Sequence, residues 1–402
     1  MKIILLIFGA LLLVLNSFSQ TFIPQNSGLT SVFSAINFVD DNVGMAVTYG
    51  GEIVKTTNGG TNWNQQNSGV TTTLRDVLMI NSTTALAIGY NGLIIKTTDG
   101  GATWSSVNSG TTYNLDNLFL NGSTVFVVGS GGTILKSADS GSTWTSLNSG
   151  TSLDLKSIYF LNASTGYVGG NYKTILKTTD GGSSWTIMNT DVGNSIIYQL
   201  VGMSFSDANT GFAVGGDAQG NQGLILKTTD AGVTWTSQYF ANTYFGSIQF
   251  LNNATGFIAG GNITNNTSTI LKTNNGGNTW AVQPTSSSRQ VGVSFPSFNA
   301  GYTCGLDGTI LKIRDINLGV AEYASNMDVN AFPNPNKGRF SLSFENHILS
   351  VNAVAEVYNA RGEMILKQNP SEDFDISNFS NGIYFVRLKD EDFIATQKII
   401  KE

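Results

Sequence analysis

Apolar and polar residues alternate in short runs along most of this chain, and glycine-rich turns separate the runs. A period of two predicts β-strands. The stretch 72–107 shows the unit. Leu74, Val77 and Met79 mark a first strand, Ala85–Gly89 a second, Leu93–Thr97 a third and Thr103–Val107 a fourth. Asp99-Gly-Gly predicts a hairpin turn between the last two, because the carboxylate can bond its own turn and glycine accepts positive φ. Trp104 follows and is expected to be buried in the sheet, like the tryptophan of every other repeat. Removing such a buried ring costs about 3–5 kcal/mol.

The unit recurs. All six tryptophans sit in one motif, as Asn58/Trp63, Asp99/Trp104, Asp139/Trp144, Asp180/Trp185, Asp230/Trp235 and Asn275/Trp280, spaced by 41, 40, 41, 50 and 45 residues. A period near 40 with turn chemistry predicts a β-propeller, one four-stranded blade per repeat. The apolar pairs from Ile36/Phe38 to Val293/Phe295 in the first strands are expected to fill the seams between blades. The third strand occurs seven times, from Glu52-Ile-Val-Lys55 to Thr309-Ile-Leu-Lys312, but no tryptophan follows Lys312. Phe22-Ile-Pro-Gln-Asn-Ser-Gly28 matches the spacing of Trp63-Asn-Gln-Gln-Asn-Ser-Gly69. Phe22–Gln25 is therefore expected to close the seventh blade, removing free sheet edges. The lysines ending the third strands are expected to be solvated or paired with aspartate.

Composition narrows the class. The chain has 402 residues, 12% of them charged, and a formal charge of −6. That charge disfavours nucleic acid as a partner. Cys304 is the only cysteine, so no disulfide and no cysteine metal site is expected, and no cofactor or metal is implied. Met1-Lys2 precedes an apolar run, Ile3–Leu15, and then small polar residues. Residues 1–19 read as a secretory signal peptide, and no later stretch is apolar enough to anchor in a membrane. The expected order is signal peptide 1–19, seven-bladed propeller 20–317, linker 318–328 and a small β-sandwich 329–402. The mature protein is expected to be monomeric.

The turn motif resembles the Asp-box of bacterial neuraminidase repeats. The longer unit, Gly-x-Ile-Leu-Lys-Thr-Thr-Asp-Gly-Gly-x-x-Trp, is similar to that of the photosystem II assembly/stability factor family of plastids and cyanobacteria, over residues 21–317. That resemblance implies a seven-bladed propeller. Asp-boxes also occur in sialidases, xyloglucanases, sortilin-type receptors and scaffold propellers, so fold does not fix chemistry. Near the C-terminus, Pro333-Asn334-Pro335-Asn-Lys-Gly338, Asn381-Gly382-Ile-Tyr384 and Lys398-Ile-Ile-Lys resemble the type A sorting domain of the type IX secretion system. This implies a Gram-negative host, Sec export, and passage across the outer membrane by the type IX machinery acting on 329–402. The passenger is then released or attached to the surface.

Catalytic residues are scarce. Segment 21–317 has no histidine, since His347 lies beyond it. It has one glutamate, Glu52, and three arginines, Arg75, Arg289 and Arg314. A sialidase would need an arginine triad with a glutamate-activated tyrosine, so that chemistry is not expected. Two aspartates about 6.5–9.5 Å apart can run inverting glycoside hydrolysis, and Asp116, Asp154 and Asp217 are the candidates for it. Blade-to-blade loops and second-to-third-strand loops share one propeller face. The repeat lengthens there, at 190–198, 217–223 and 261–268. The candidate binding face comprises Arg75, Tyr90, Tyr113, Asp116, Lys156, Tyr172, Tyr198, Asp217, Tyr244 and Asn262, because exposed tyrosines suit glycan stacking or protein hot spots. The expected function is a non-enzymatic surface or released binding protein, docking an unknown protein through the lengthened loops. The alternative is a module that binds or hydrolyses a surface glycan.

Overall fold

The structure is a computed structural model, and it describes residues 20–189, 196–285, 287–314, 329–344, 353–359, 364–390 and 393–402. The expected signal peptide, the whole of the linker 318–328, His347 and part of the lengthened loop 190–198 lie outside these residues. The chain divides into two compact units, Met1–Ile316 and Asn317–Glu402.

Among the described residues the first unit holds seven four-stranded antiparallel sheets. Six are continuous in sequence, over 33–66, 74–107, 115–147, 155–189, 198–241 and 244–283. The seventh takes three strands, Gln290–Ser294, Gly301–Gly305 and Ile310–Arg314, and its outer strand is Thr21–Gln25. Phe22 pairs with Ile313 and Gln25 with Ile310, as the Phe22/Trp63 correspondence predicts. Each inner strand packs on the next, and Phe33–Phe38 packs on both Leu74–Met79 and Gln290–Ser294, so the sheets form a closed ring.

The repeating apolar pairs explain the ring. At five seams an aromatic side chain of a second strand lies flat on a first-strand aromatic of the following blade. These pairs are Tyr302 on Phe38, Phe126 on Phe160, Tyr167 on Phe205, Phe212 on Phe250 and Phe257 on Phe295, with centroids 3.8–4.7 Å apart. Glycine opposite the first-strand ring makes room for it: a Cβ on Gly211 would stand 2.3 Å from Phe205, and one on Gly301 2.1 Å from Phe295. Two seams are aliphatic, with Met45 beside Met79 and Leu86 against the Leu115–Asn121 strand.

The tryptophans correct an expectation. Only Trp63 is buried, at 8% exposed; Trp104, Trp144, Trp185, Trp235 and Trp280 are half-buried. Each directly precedes the outermost strand of its sheet, where one side of the ring packs inward and, in all but Trp63, part of the ring stays exposed. Four meet the first-strand ring of their own blade edge-on: Trp63 on Phe38 at 5.8 Å, Trp185 on Phe160 at 6.0 Å, Trp235 on Phe205 at 6.4 Å and Trp280 on Phe250 at 5.9 Å. Trp104 and Trp144 pack instead on the aliphatic seams of Met79 and Leu86. The indole N–H of Trp235 donates to the Gly232 carbonyl at 3.2 Å. Those of Trp63, Trp104, Trp144, Trp185 and Trp280 have no partner within that distance range among the described residues. The cost of a fully buried ring therefore applies to Trp63, and the other five contribute less.

The turn motif holds its own geometry. Thr97 Oγ1 donates to Asp99 Oδ1 at 2.8 Å, and the Gly101 N–H donates to Thr97 Oγ1 at 2.9 Å. Thr103 donates to Asp99 through its amide at 2.9 Å and its hydroxyl at 2.6 Å. These donors, the Thr103 hydroxyl foremost, hold the Asp99 carboxyl down at about 2. Ser184 and Thr234 hydroxyls do the same for Asp180 and Asp230, and the Thr143 amide and hydroxyl lower Asp139. Asparagine substitutes at two turns. Asn58 accepts from the Asn62 N–H at 2.9 Å, and Asn275 Nδ2 donates to Thr279 Oγ1 at 2.8 Å, reversing one bond of the set.

The third-strand lysines also differ from expectation. They are neither free in solvent nor paired with the turn aspartates. Four reach across the seam to a backbone carbonyl in a turn of the next blade, Lys55 to Gly100 at 2.6 Å, Lys136 to Gly181 at 3.1 Å, Lys177 to Ala231 at 2.8 Å and Lys227 to Gly276 at 2.9 Å, while Lys96 meets the Ser142 hydroxyl at 2.8 Å. The Asp-anchored turn fixes a backbone carbonyl at the seam, and the ammonium is the nearest donor. Lys312 Nζ closes the ring, donating to Gly59 O at 2.8 Å while lying 5.4 Å from the Tyr302 ring centre. Lys312→Met keeps the stem and removes the charge, so it should cost about 1–2 kcal/mol. Urea unfolding measures this, and an unchanged midpoint would remove the latch from the account.

The second unit has a three-stranded sheet, Val329–Phe332, Arg339–Phe344 and Phe374–Asp375, and a four-stranded sheet, Val354–Asn359, Met364–Gln368, Gly382–Asp390 and Phe393–Lys401. Phe340, Leu342 and Phe374 from the first share one core with Val357, Val386, Leu388 and Ile399 from the second. The Pro333-Asn334-Pro335-Asn336 segment is tied to the last strand. Asn334 Nδ2 donates to Lys398 O at 2.6 Å, and the Ile400 N–H returns a bond to Asn334 Oδ1 at 2.8 Å. Asn336 accepts from the Gly338 N–H at 2.7 Å, where Gly338 has φ +99. Lys401 Nζ bonds the carbonyls of Ser377 and Phe379, and the Tyr384 hydroxyl bonds that of Ser380.

Candidate functional site

Every inner strand carries a register shift near its start. It falls between Leu74 and Asp76, Leu115 and Asn117, Leu155 and Ser157, and at the equivalent place in the other four sheets. A bulge leaves one residue outside the ladder and re-aims its side chain. The bulged residues are Ser34, Arg75, Asp116, Lys156, Val201, Gly246 and Val291, and all seven line one cavity of about 390 Å³. Tyr49, Gln199, Tyr244 and Arg289 line it as well.

The structure therefore brings together three residues that the sequence places at strand starts. Asp116, with its side chain 4% exposed, takes Arg75 at 3.3 Å and Lys156 at 3.1 Å. Lys156 also pairs with Asp154 at 3.4 Å. Arg75 Nη1 donates to the Tyr49 hydroxyl at 3.0 Å, with the guanidinium 5.4 Å from the Tyr49 ring centre. Tyr244 donates to Gln199 Oε1 at 2.9 Å, and burial raises its phenol above the ordinary range.

Beneath this network lies Asp76. It accepts from the Leu118 N–H at 2.8 Å, Asn117 Nδ2 at 2.7 Å and the Val77 N–H at 2.9 Å. Desolvation at the cavity wall outweighs these donors and pushes its carboxyl up to about 6. Between about 4 and 6 the folded chain thus holds a proton that the unfolded chain has lost. The contribution of Asp76 should be full below about pH 4, fall as pH rises to about 6, and level off above it. Asp76 keeps partial exposure at the cavity wall, so the loss should be about 1–2 kcal/mol, less than the roughly 3 kcal/mol of a dry site. Urea midpoints from about pH 4 to 7 should show this slope, and Asp76→Asn should flatten it. Equal slopes in both proteins would refute the assignment.

The remaining predicted residues separate into two groups. Tyr90 and Tyr113 are 40% and 56% exposed, as is Tyr49 at 40%, and Tyr172 is half-buried. Three others are corrected. Tyr198 is buried, with its hydroxyl bonded to Gln222 Oε1 and its ring 5.7 Å from Tyr239. Asp217 is buried and accepts from the Asn221 and Gln222 N–H groups at 2.7 and 3.2 Å, so it builds its hairpin. Asn262 accepts from the Thr264 and Asn265 N–H groups at 2.7 and 3.1 Å and builds the next. The lengthened hairpins pack on each other, since a Cβ on Gly220 would stand 1.9 Å from Ile263. Their polar groups serve local turns.

Tyr49, Asp76, Gln199 and Arg289 are site residues that the sequence reading does not single out. Arg289 directly precedes the residue where its strand's register shift begins, the position held by Thr73, Asn114, Asp154, Gln199 and Tyr244 in other sheets. Thr73 bonds Tyr49 O at 2.9 Å, Asn114 accepts from Asn91 N at 3.0 Å and Asp154 accepts from Gly131 N at 3.0 Å. Arg289 differs: among the described residues its side chain makes no hydrogen bond or ion pair, and its Nε is buried without a partner. Aligning the strand starts of all repeats exposes it. Arg75 Nε is likewise buried and unpartnered among the described residues. No cluster of three metal-ligating side chains occurs among the described residues.

A ring of four-stranded sheets around a lined channel defines a β-propeller, and solved propellers share the fold. YCF48 bound to D1 peptide superposes with a TM-score of 0.58 at 17% identity, over 74% of this chain and 96% of that one. YCF48 from Cyanidioschyzon merolae gives 0.57 at 18%, over 74% and 99%. The GH74 xyloglucanase from Xanthomonas campestris gives 0.60 at 11%, over 81% and 59%. The model of photosynthesis system II assembly factor YCF48 matches residues 61–156 and 149–288, more than half of the chain. The chain belongs to that family, and its residues 330–402 match the secretion system C-terminal sorting domain. No curated protein sequence matches the chain.

Proposed function

We propose that this protein is a non-enzymatic docking module, carried across the outer membrane by its sorting domain, that holds an acidic segment of a partner protein at the channel mouth. The observation that carries the reading is Arg289, a cation with no ion-pair partner among the described residues, lining a cavity with Arg75 and Lys156. Asp76 and Asp116 line the same cavity and Asp154 pairs with Lys156 at its mouth, so the charges balance in number and Arg289 is the cation left without an ion-pair partner among the described residues. An unpaired cation attracts anions. Tyr49, Tyr90 and Tyr113 supply rigid amphipathic contacts beside it. The D1 peptide held by a YCF48 structure supports peptide docking as a use of this fold.

The three aspartates that the sequence offers for hydrolysis are all engaged. Asp116 is engaged by two cations, Asp154 by Lys156 and a backbone amide, and Asp217 by two backbone amides. A general acid needs a carboxyl free to give its proton. The test is a panel of extended acidic peptides, their Gln/Asn isosteres and soluble polysaccharides, each titrated into the full chain. Salt-sensitive binding of acidic peptides alone supports the reading. Retained polysaccharide, or sugar release that depends on Asp116, overturns it.

A further inference from the structure

Two charged groups lining the cavity make no ion pair among the described residues, and they have opposite signs. Arg289 is the cation. Asp76 is the carboxylate, and its donors, the Leu118 and Val77 amides and Asn117 Nδ2, are all neutral. Asp116 differs, because Arg75 and Lys156 both hold it, and Asp154 has Lys156. With Asp76 ionised, three carboxylates offset Arg75, Lys156 and Arg289. With Asp76 protonated, the cavity keeps one positive charge in excess, and Arg289 is the cation left uncompensated.

The other groups around Asp76 do not cancel this change. Its strand, Leu74–Met79, packs on Phe33–Phe38, Gly44–Thr48, Ala85–Gly89 and Leu115–Asn121. The first three carry no charged side chain, and the fourth contributes Asp116 with its two cations. Arg75, on the same strand as Asp76, is one of those cations. The Cys304 thiol of the seventh sheet lies within electrostatic reach of Asp76, but burial pushes it up and it stays neutral. Burial likewise keeps the Tyr244 phenol neutral. Asp76, its carboxyl raised by burial to about 6, is therefore the group that changes charge as pH falls from neutral.

We propose that proton uptake by Asp76 gates the channel-mouth docking site, so that an acidic segment is held more tightly at mildly acid pH than at neutral pH. The gate rests on the docking reading above and adds its regulation. Affinity should be highest near pH 5, fall as pH rises through about 6, and level off above about 7. By reciprocity a bound acidic segment favours protonated Asp76, so binding near the midpoint takes up protons.

Anisotropy titrations of the full chain with a labelled peptide alternating aspartate and serine test this at about pH 5 and about pH 7.5. The peptide's own carboxylates begin to take up protons at the acid end, which weakens binding and cannot mimic the effect. Wild type should bind at least about fivefold more tightly at the lower pH. Asp76→Asn, neutral throughout, should bind at both pH values with about the acid-pH affinity of wild type. His347→Gln should keep the wild-type response, which excludes the chain's only histidine as its source. Calorimetry of wild type in two buffers of different ionisation enthalpy reads the same linkage without a variant, and binding at about pH 6.5 should take up protons. Equal binding at the two pH values, a response retained by Asp76→Asn or lost in His347→Gln, or binding without proton uptake overturns the gate and leaves the docking site standing. Absence of binding at both pH values overturns the docking reading and the gate together.

Discussion

A chain lacking residues 20–25 should lose at least about 5 kcal/mol of stability, a large part of the roughly 5–15 kcal/mol typical of a folded protein. Thr21–Gln25 is the entire outer strand of the seventh sheet, paired along Ile310–Arg314. Phe22 is half-buried on the cluster of Phe295, Leu311 and Ile313. Its loss removes a share of the about 3–5 kcal/mol that a full core ring supplies, and each ladder hydrogen bond adds about 1 kcal/mol. The loss also exposes the ladder groups of Ile310–Arg314 at the point where the first and last sheets meet, an edge open to aggregation. A urea midpoint well below that of the intact protein is expected, with partial recovery on adding a peptide of residues 20–27. An unchanged midpoint would mean that three strands suffice to close the ring.

Arg289→Glu should weaken acidic-peptide binding at least about thirtyfold without loss of stability. Truncating a buried interfacial charge commonly costs about 2–5 kcal/mol in binding, and reversal adds repulsion. The fold has little to lose, because no ion pair holds the Arg289 side chain among the described residues. Arg75→Ala is a poorer test. It strips Asp116, 4% exposed, of one of its two cations and perturbs structure and site together. Anisotropy titration and urea unfolding of the same samples separate the two effects.

The ring is legible in the sequence because its determinants are local and repeated. Thr97, Asp99, Gly101 and Trp104 recur with fixed spacing, and each acts within its own turn or blade. The Phe22/Trp63 correspondence locates the closing strand although its partner is nearly 300 residues away, because both share one repeat frame. The depth of the tryptophans is not legible: the spacing of Trp144, Trp185, Trp235 and Trp280 matches that of buried Trp63, yet these four are half-buried. The site is half legible. Arg75, Asp116 and Lys156 stand out as charged residues at strand starts, and bulges bring them into one network. Asp217, Asn262 and Tyr198 mislead because insertion suggests exposure, whereas their polar atoms serve the longer hairpins. The seam role of the lysines is hidden, since it depends on a carbonyl some 45 residues onward.

The most direct test of the docking site is the affinity of the full chain for one acidic peptide selected from the panel, measured for wild type and Arg289→Glu at low and high salt. Binding should weaken with salt and fall at least about thirtyfold in the variant. Equal affinity of the two proteins would contradict it, and the channel mouth would no longer be the docking site.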